Sequence, residues 1–322
     1  MKSEFNRGYT VYKDGKKEPF IVAPHSGPAL DVVTSRDDHS ETVASLCWKR
    51  LGGRLIVSSM PRERLWGIDF NRDIPKLKDA LDHFNIFLNK EDVNKRYSYM
   101  KKYGWVAKDE NDYEKRLKIY QSFWDDVSKG ECIIIVHKAF PKVKFIPSIM
   151  DITTFSGEKI KNKLVKEIVE EINGKYYYFL DKITDDYKDA IIYESKRMIL
   201  NILRIYKTLN YDKIGAIFRD SLKKDLEKIN FYGDKIAKRR INDNLTPHNY
   251  LEGVKNALEN MPTPQVTFEN AFFGDTSFGP KRKLSPLKNK TIIQVEGSGF
   301  LNFWHPHIAA EMIKDIYEML KE

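Results

Sequence analysis

Cysteine is scarce in this chain, and its two residues are too far apart to act together. Cys47 and Cys132 are the only two in 322 residues, which excludes a disulfide framework and any thiol pair with metal-ligand spacing. Each sits in an apolar stretch, where a thiol serves as a small apolar filler. So few thiols in a chain of this length suit a reducing compartment better than secretion. Long apolar runs are missing too. No stretch approaches the ~18 apolar residues that span a bilayer, and the opening MKSEFNRGYTVYKDGKKEPF lacks the apolar centre of a signal peptide. The expectation is a cytoplasmic protein with no membrane partner. Internal repeats and low-complexity tracts are absent as well.

Charge is abundant but mixed. Lys and Arg number 55 against 46 Asp and Glu, a net charge of +9. The cations are spread along the chain, and the densest group, Lys238-Arg239-Arg240, falls in a helical pattern that reads as a solvated face. Aromatic residues make up 12% and recur mostly at helix or strand core spacing. A basic, non-catalytic nucleic-acid-binding protein is therefore the alternative from a different class, not the leading reading.

The chain reads as α/β, a three-layer mixed and largely parallel sheet flanked by helices, with a large helical insertion. Phe20 to Ala23 is strand-like and ends at Pro24-His25-Ser26-Gly27. Ser40 to Leu51 carries Val43, Leu46, Cys47 and Leu51 at helical spacing, Gly52-Gly53 stops it, and Arg54 to Ser58 is the next strand. Tyr113 to Val127 repeats apolar residues every three or four positions. Cys132 to Val136 is a continuous apolar run that ends at His137, as expected of a central strand. From 157 to 262 the pattern turns long and helical, notably Lys188 to Leu209, with one strand-like run at Lys175 to Leu180. Strand signals return at Gln265 to Phe268 and Thr291 to Val295, and a helix from about Pro306 to Leu320 closes the chain. The expected division is a catalytic domain of 1–156 and 263–322 around a helical unit of 157–262.

The chemistry-bearing residues cluster at strand ends. A hydrolytic metal needs about three N or O ligands and an open position. His25 and His137 each follow a strand, where open α/β sheets place ligands. Either alone is equally a hydrogen-bonded structural histidine. Between them Arg36-Asp37-Asp38-His39-Ser40-Glu41 opens a helix. Capping by Asp38 or Ser40 is the plain reading, yet two adjacent acids and a histidine exceed what a cap requires. Arg62, Arg64, Asn71 and Arg72 occupy one loop with Glu63, Asp69 and Asp73. They form either an anion site or a set of surface ion pairs. Glu296 ends a strand before Gly297-Ser298-Gly299, where a carboxylate can act as general base and acid or sit as an ordinary loop carboxylate. His305, His307, His83 and His248 are assigned to structure or surface.

Taken in order, Pro24-His25-Ser26-Gly27, Asp37 to Glu41, Asp69-Phe70-Asn71-Arg72-Asp73, Ile133 to His137 and Ile293 to Glu296 resemble the N-formylglutamate amidohydrolase family, related to aspartoacylases and zinc carboxypeptidases. The resemblance covers about 1–150 and 264–322. It implies a zinc exopeptidase-like fold and a zinc ion held by His25, His137 and an acid. Position 28 is Pro28, so the compact His-x-x-Glu of the related enzymes is absent. Glu41 is taken as the acid ligand, with Asp38 as the alternative and Asp37 in the same group. Glu296 is implied as the residue that activates water, Asn71 and Arg72 as contacts to a substrate carboxylate, and Arg64, with Arg62 as fallback, as the donor to the scissile carbonyl. The activity implied is cleavage of an N-acyl, for example N-formyl, amino acid or a similar small carboxylate-bearing amide. A carboxypeptidase-like peptidase is the second enzymatic reading.

Overall fold

The computed structural model describes residues 2–29, 37–139, 147–155, 159–205, 247–270, 283–284, 286–287 and 289–321. Lys238-Arg239-Arg240 and residues 206–209 of the expected long helix lie outside them. Among the described residues eight strands form one mixed sheet: β1 (Lys2–Asn6), β2 (Tyr9–Lys13), β3 (Phe20–Ala23), β4 (Arg54–Ser58), β5 (Cys132–Ala139), β6 (Ser148–Thr153), β7 (Gln265–Phe268) and β8 (Thr291–Ser298). Their spatial order is β1-β2-β4-β3-β5-β8-β6-β7. The central block β4-β3-β5-β8 is parallel, and β6 enters antiparallel to β8.

The helices are α1 (Ser40–Leu51), α2 (Leu77–Leu88), α3 (Val93–Lys102), α4 (Glu110–Val127), α5 (Asn162–Lys182), α6 (Thr184–Ile205), α7 (Pro247–Glu259), α8 (Gly299–Trp304) and α9 (Pro306–Met319). They cover both faces. One face packs Ile21, Ile134, Val136, Ile293 and Val295 against α1, α5, α6, α7 and α9. The opposite face packs Phe20, Val22, Ile133, Ile135 and Ile292 against α4 and Trp105. Alternation along each strand explains the split, since successive side chains point to opposite faces. Central strands buried on both faces need continuous apolar runs. β3 supplies one in Phe20-Ile21-Val22-Ala23, all four buried.

The run Lys175 to Leu180, expected as a strand, lies inside α5. Tyr177 and Tyr178 are exposed, while Val165, Ile168, Ile172 and Leu180 are buried at helical intervals. The three- and four-residue period thus outweighs the local aromatic preference for strand. The helices α5, α6 and α7 of the 157–262 stretch join the same apolar cluster as the sheet. Both cysteines are free. Cys47 lies in that cluster, and burial pushes the Cys132 thiol up to about 12.

The chain leaves β3 through α1 to reach β4 on one side, then returns through α2 to α4 to β5 on the other side. α1 packs on one face and α4 on the other, so the C-terminal ends of β3 and β5 flank a crevice of the type in which open α/β sheets bind ligands. At the far edge of the sheet, all five residues of β1 are exposed. No helix among the described residues is long and apolar enough to cross a membrane.

Candidate metal centre

His25 and His137 come together at this crevice. His25 lies two residues beyond β3, and His137 is inside β5. Both are 2% exposed, with ring centroids 4.9 Å apart. Asp37 completes the group. Its Oδ2 lies 3.1 Å from His25 Nδ1 and 2.7 Å from His137 Nδ1. A backbone bond from Asp37 N to His25 O, 3.1 Å, fixes the approach. One ligand atom from each of the three falls within 4.8 Å of the others.

The acid that the fold brings to the two histidines is Asp37, not Glu41 or Asp38. Glu41 belongs to the first turn of α1, where the helix dipole favours a carboxylate. Asp38 turns instead to Lys138 Nζ at 3.2 Å and Arg197 NH2 at 3.4 Å. These three line a cavity of about 930 Å³ with Tyr193 and Trp304. Helix capping does not explain the acid group either, because the N-cap of α1 is His39 and carries no side-chain cap bond.

The loop after β4 closes the other side. Asp69, wholly buried, holds His25 Nε2 at 2.9 Å. Arg62 Nε and Arg64 NH2 reach its Oδ2 at 2.9 Å each, and Arg72 Nε stands at 3.9 Å. Burial pushes the Asp69 pKa up, but Arg62, Arg64 and His25 outweigh this and hold it well below the carboxylate range. Asp37 behaves alike: burial is opposed, and overcome, by His25 and His137. Helix α4 anchors the loop, because its side chains satisfy loop carbonyls. Arg116 donates to Gly67 O and Leu65 O, Trp124 Nε1 to Phe70 O, and Tyr120 to Arg72 O, at 2.8 to 3.1 Å. Gly27 allows the β3 loop to touch this segment, since a Cβ there would meet Met60 O at 1.9 Å.

The arginines divide by their partners. Arg64 is 2% exposed and donates to Tyr103 O, Arg62 O and Met100 O as well as pairing with Asp69. Its donors are committed to the backbone, so the expected role at a substrate carbonyl does not suit it. Arg62 and Arg72 have side chains 24% and 23% exposed. Arg62 also reaches Asp37 Oδ1 at 3.4 Å. Asn71, expected at a substrate carboxylate, places its carboxamide 3.0 Å from His137 Nε2.

Glu296 stands level with His137 in the β5–β8 register, and level with Asp151 of β6, which in turn pairs with Thr267 of β7. Directly opposed residues share a face, so a polar row crosses four strands. Glu296 is 7% exposed and accepts from Gln294 Nε2 at 2.6 Å. Burial first, with Asp37 and Asp151, raises its pKa to about 7 against the pull of His137 and Gln294. Reading strand ends alone misses Gln294 and Asp151, although each is a lone polar residue in an apolar strand run, Ile292-Ile293-Gln294-Val295 and Ile149-Met150-Asp151-Ile152. That pattern is a usable signal.

The donor set fits a divalent cation. Two imidazoles and a carboxylate suit zinc and its first-row neighbours. If both Nδ1 atoms face an ion, both Nε2 atoms carry hydrogens and need acceptors. Asp69 Oδ1 supplies one. The buried Asn71 Oδ1, which has no hydrogen-bond partner as it stands, supplies the other once the amide is turned. The group His25, Asp37 and His137 can hold a metal ion.

No protein-family model matches the chain, and no curated protein matches it. Among solved structures, gene product Atu2144 from Agrobacterium tumefaciens is similar with a TM-score of 0.44 and 10% identity, over 98% of this chain and 95% of that one. A likeness of that degree carries no argument about function.

Proposed function

We propose that this chain is a zinc-dependent amidohydrolase acting on an N-acyl amino acid or a similar small amide with a free carboxylate. The observation that carries the reading is the convergence of His25 Nδ1 and His137 Nδ1 on Asp37 Oδ2 beside an in-register, buried Glu296. His25, Asp37 and His137 would hold the ion. When bound, zinc supplies a Lewis acid that polarises a carbonyl and makes water acidic enough to lose a proton near neutral pH. Glu296 takes the proton from the attacking water and returns it to the leaving nitrogen. Burial raises this carboxyl to about 7 in the metal-free protein, and an adjacent cation draws it down toward the carboxylate that accepts the proton. Arg62, partly exposed and held by Asp37 and Asp69, donates to the amide oxygen as negative charge develops there. Arg72 offers its guanidinium to the substrate carboxylate, a bidentate partner for such a group.

Metal analysis of the purified protein should give about one zinc per chain, and chelation should remove turnover. Glu296→Gln should retain the metal and lose at least a hundredfold in kcat. A panel of N-formyl and N-acetyl amino acids set against longer peptides separates this reading from a carboxypeptidase-like one. Wild-type protein that hydrolyses these amides equally well after chelation contradicts the metal mechanism.

A further inference from the structure

The turn Asp69–Asn71 serves both imidazoles, but in two different manners. Asp69 Oδ1 lies 2.9 Å from His25 Nε2 and accepts from Asn71 N at 3.0 Å. Asn71 itself reaches His137 Nε2. A carboxylate only accepts, so Asp69 requires a hydrogen on His25 Nε2. A carboxamide carries a donor and an acceptor of nearly equal size, exchanged by a half-turn of the side chain. As it stands, Asn71 presents Nδ2, so His137 Nε2 bears a lone pair and Nδ1–H donates to Asp37 Oδ2 at 2.7 Å. In that state His137 Nδ1 has no lone pair for a cation, and Asn71 Oδ1 is buried without a partner.

We infer that Asn71 is a positioning residue whose carboxamide serves His137 in two tautomers. With Nδ2 toward the ring it holds the Nδ1–H form. With Oδ1 toward the ring it accepts from Nε2–H and leaves Nδ1 as a lone pair facing His25 Nδ1 and Asp37 Oδ2. The half-turn accompanies uptake of the ion: it gives Oδ1 the Nε2–H donor and moves Nδ2 to the position where Oδ1 now stands without a partner. This rests on the reading of His25, Asp37 and His137 as a metal centre, and it replaces the substrate-carboxylate role that the family resemblance gives Asn71. Asp69 cannot do the same, because a carboxylate offers no donor.

The test uses the full-length, 15N-labelled protein with Zn²⁺ as the probe. Long-range 1H–15N spectra of the His137 ring should show Nδ1–H in chelated wild type and Nε2–H after Zn²⁺ is added. Asn71→Asp, which can only accept, should show Nε2–H before any metal is present. Chelator competition should find Zn²⁺ bound about 10- to 100-fold more weakly by Asn71→Leu, and at least as tightly by Asn71→Asp as by wild type. Thermal melts of the chelated variants report whether each folds, and the Asn71→Asp spectrum decides if Asn71→Leu does not. Equal Zn²⁺ affinity in folded Asn71→Leu, or an Asn71→Asp ring that keeps Nδ1–H, overturns the inference alone. Wild type that takes up no Zn²⁺ overturns the metal centre and this inference with it.

Discussion

Replacing Glu296 by Gln should make the chelated protein more stable as the pH rises, while it abolishes turnover. The carboxyl is 7% exposed, and burial raises its pKa from an ordinary 4.5 to about 7. The folded state therefore holds a proton that the unfolded chain releases. Below about pH 4.5 the group is neutral in both states and costs nothing. Between that value and 7, each pH unit removes about 1.4 kcal/mol of stability from wild type, and above 7 the loss is complete at about 3 kcal/mol. The amide of Gln is neutral throughout and can still accept from Gln294 Nε2. The stability of Glu296→Gln relative to wild type should then climb from near zero at pH 4.5 to about 3 kcal/mol at pH 8. For a chain of this size the gap amounts to roughly 5 °C in Tm or more. Urea unfolding of chelated proteins at half-unit steps from pH 4.5 to 8.5 measures it. Bound metal should shrink the gap, because a cation near His137 and Asp37 favours the carboxylate that they already influence. Two stability curves that run parallel across this range refute the account of Glu296 as a buried, electrostatically raised acid.

Other outcomes follow from the site. Asp37→Ala should lose the metal, measured by chelator competition, whereas Glu41→Gln should bind it as wild type does. Arg62→Met should lower kcat by about 10²- to 10³-fold with the fold retained. Arg64→Met should cost about 3–5 kcal/mol of stability by urea unfolding, because it strips a partner from the buried Asp69 carboxylate. Gly27→Ala should destabilise by about 3 kcal/mol, the upper end of overpacking costs, since its methyl would press on Met60 O.

The frame was legible wherever the core imposes one period on the sequence. Phe20–Ala23, Ser40–Leu51, Arg54–Ser58 and Gln265–Phe268 appear with the expected bounds, because each is an apolar run or stripe bounded by a glycine, a proline or a charged residue. β1 and β2 were not anticipated: β1 is exposed along its whole length and carries no apolar alternation to read, and β2 buries only Tyr9 and Val11 of its five residues, too short an alternation to stand out. Two of the three residues of the candidate centre were also legible, since His25 and His137 each follow an apolar run in the sequence, although β5 continues past His137 to Ala139. The acid was not. Asp37, Asp38 and Glu41 lie within five positions, and the choice among them depends on a backbone bond from Asp37 N back to His25 O and on Lys138 and Arg197 drawing Asp38 away. The preference for Arg62 over Arg64 in the proposed mechanism has the same origin. The sequence shows Arg62 and Arg64 two positions apart in one loop, but only the fold shows that backbone carbonyls of residues 100 and 103 claim Arg64.

The exposed strand β1 has a consequence for handling the molecule. It contributes nothing to either apolar cluster, yet it occupies the outer edge of β2, whose Tyr9 and Val11 are buried. An uncovered edge with such residues is a template for pairing between copies. β1 puts Lys2 and Glu4 on that boundary instead, with Glu4 paired to Lys13. Deleting residues 2–6 should leave the crevice intact while baring the edge of β2, and the shortened protein should aggregate more on concentration.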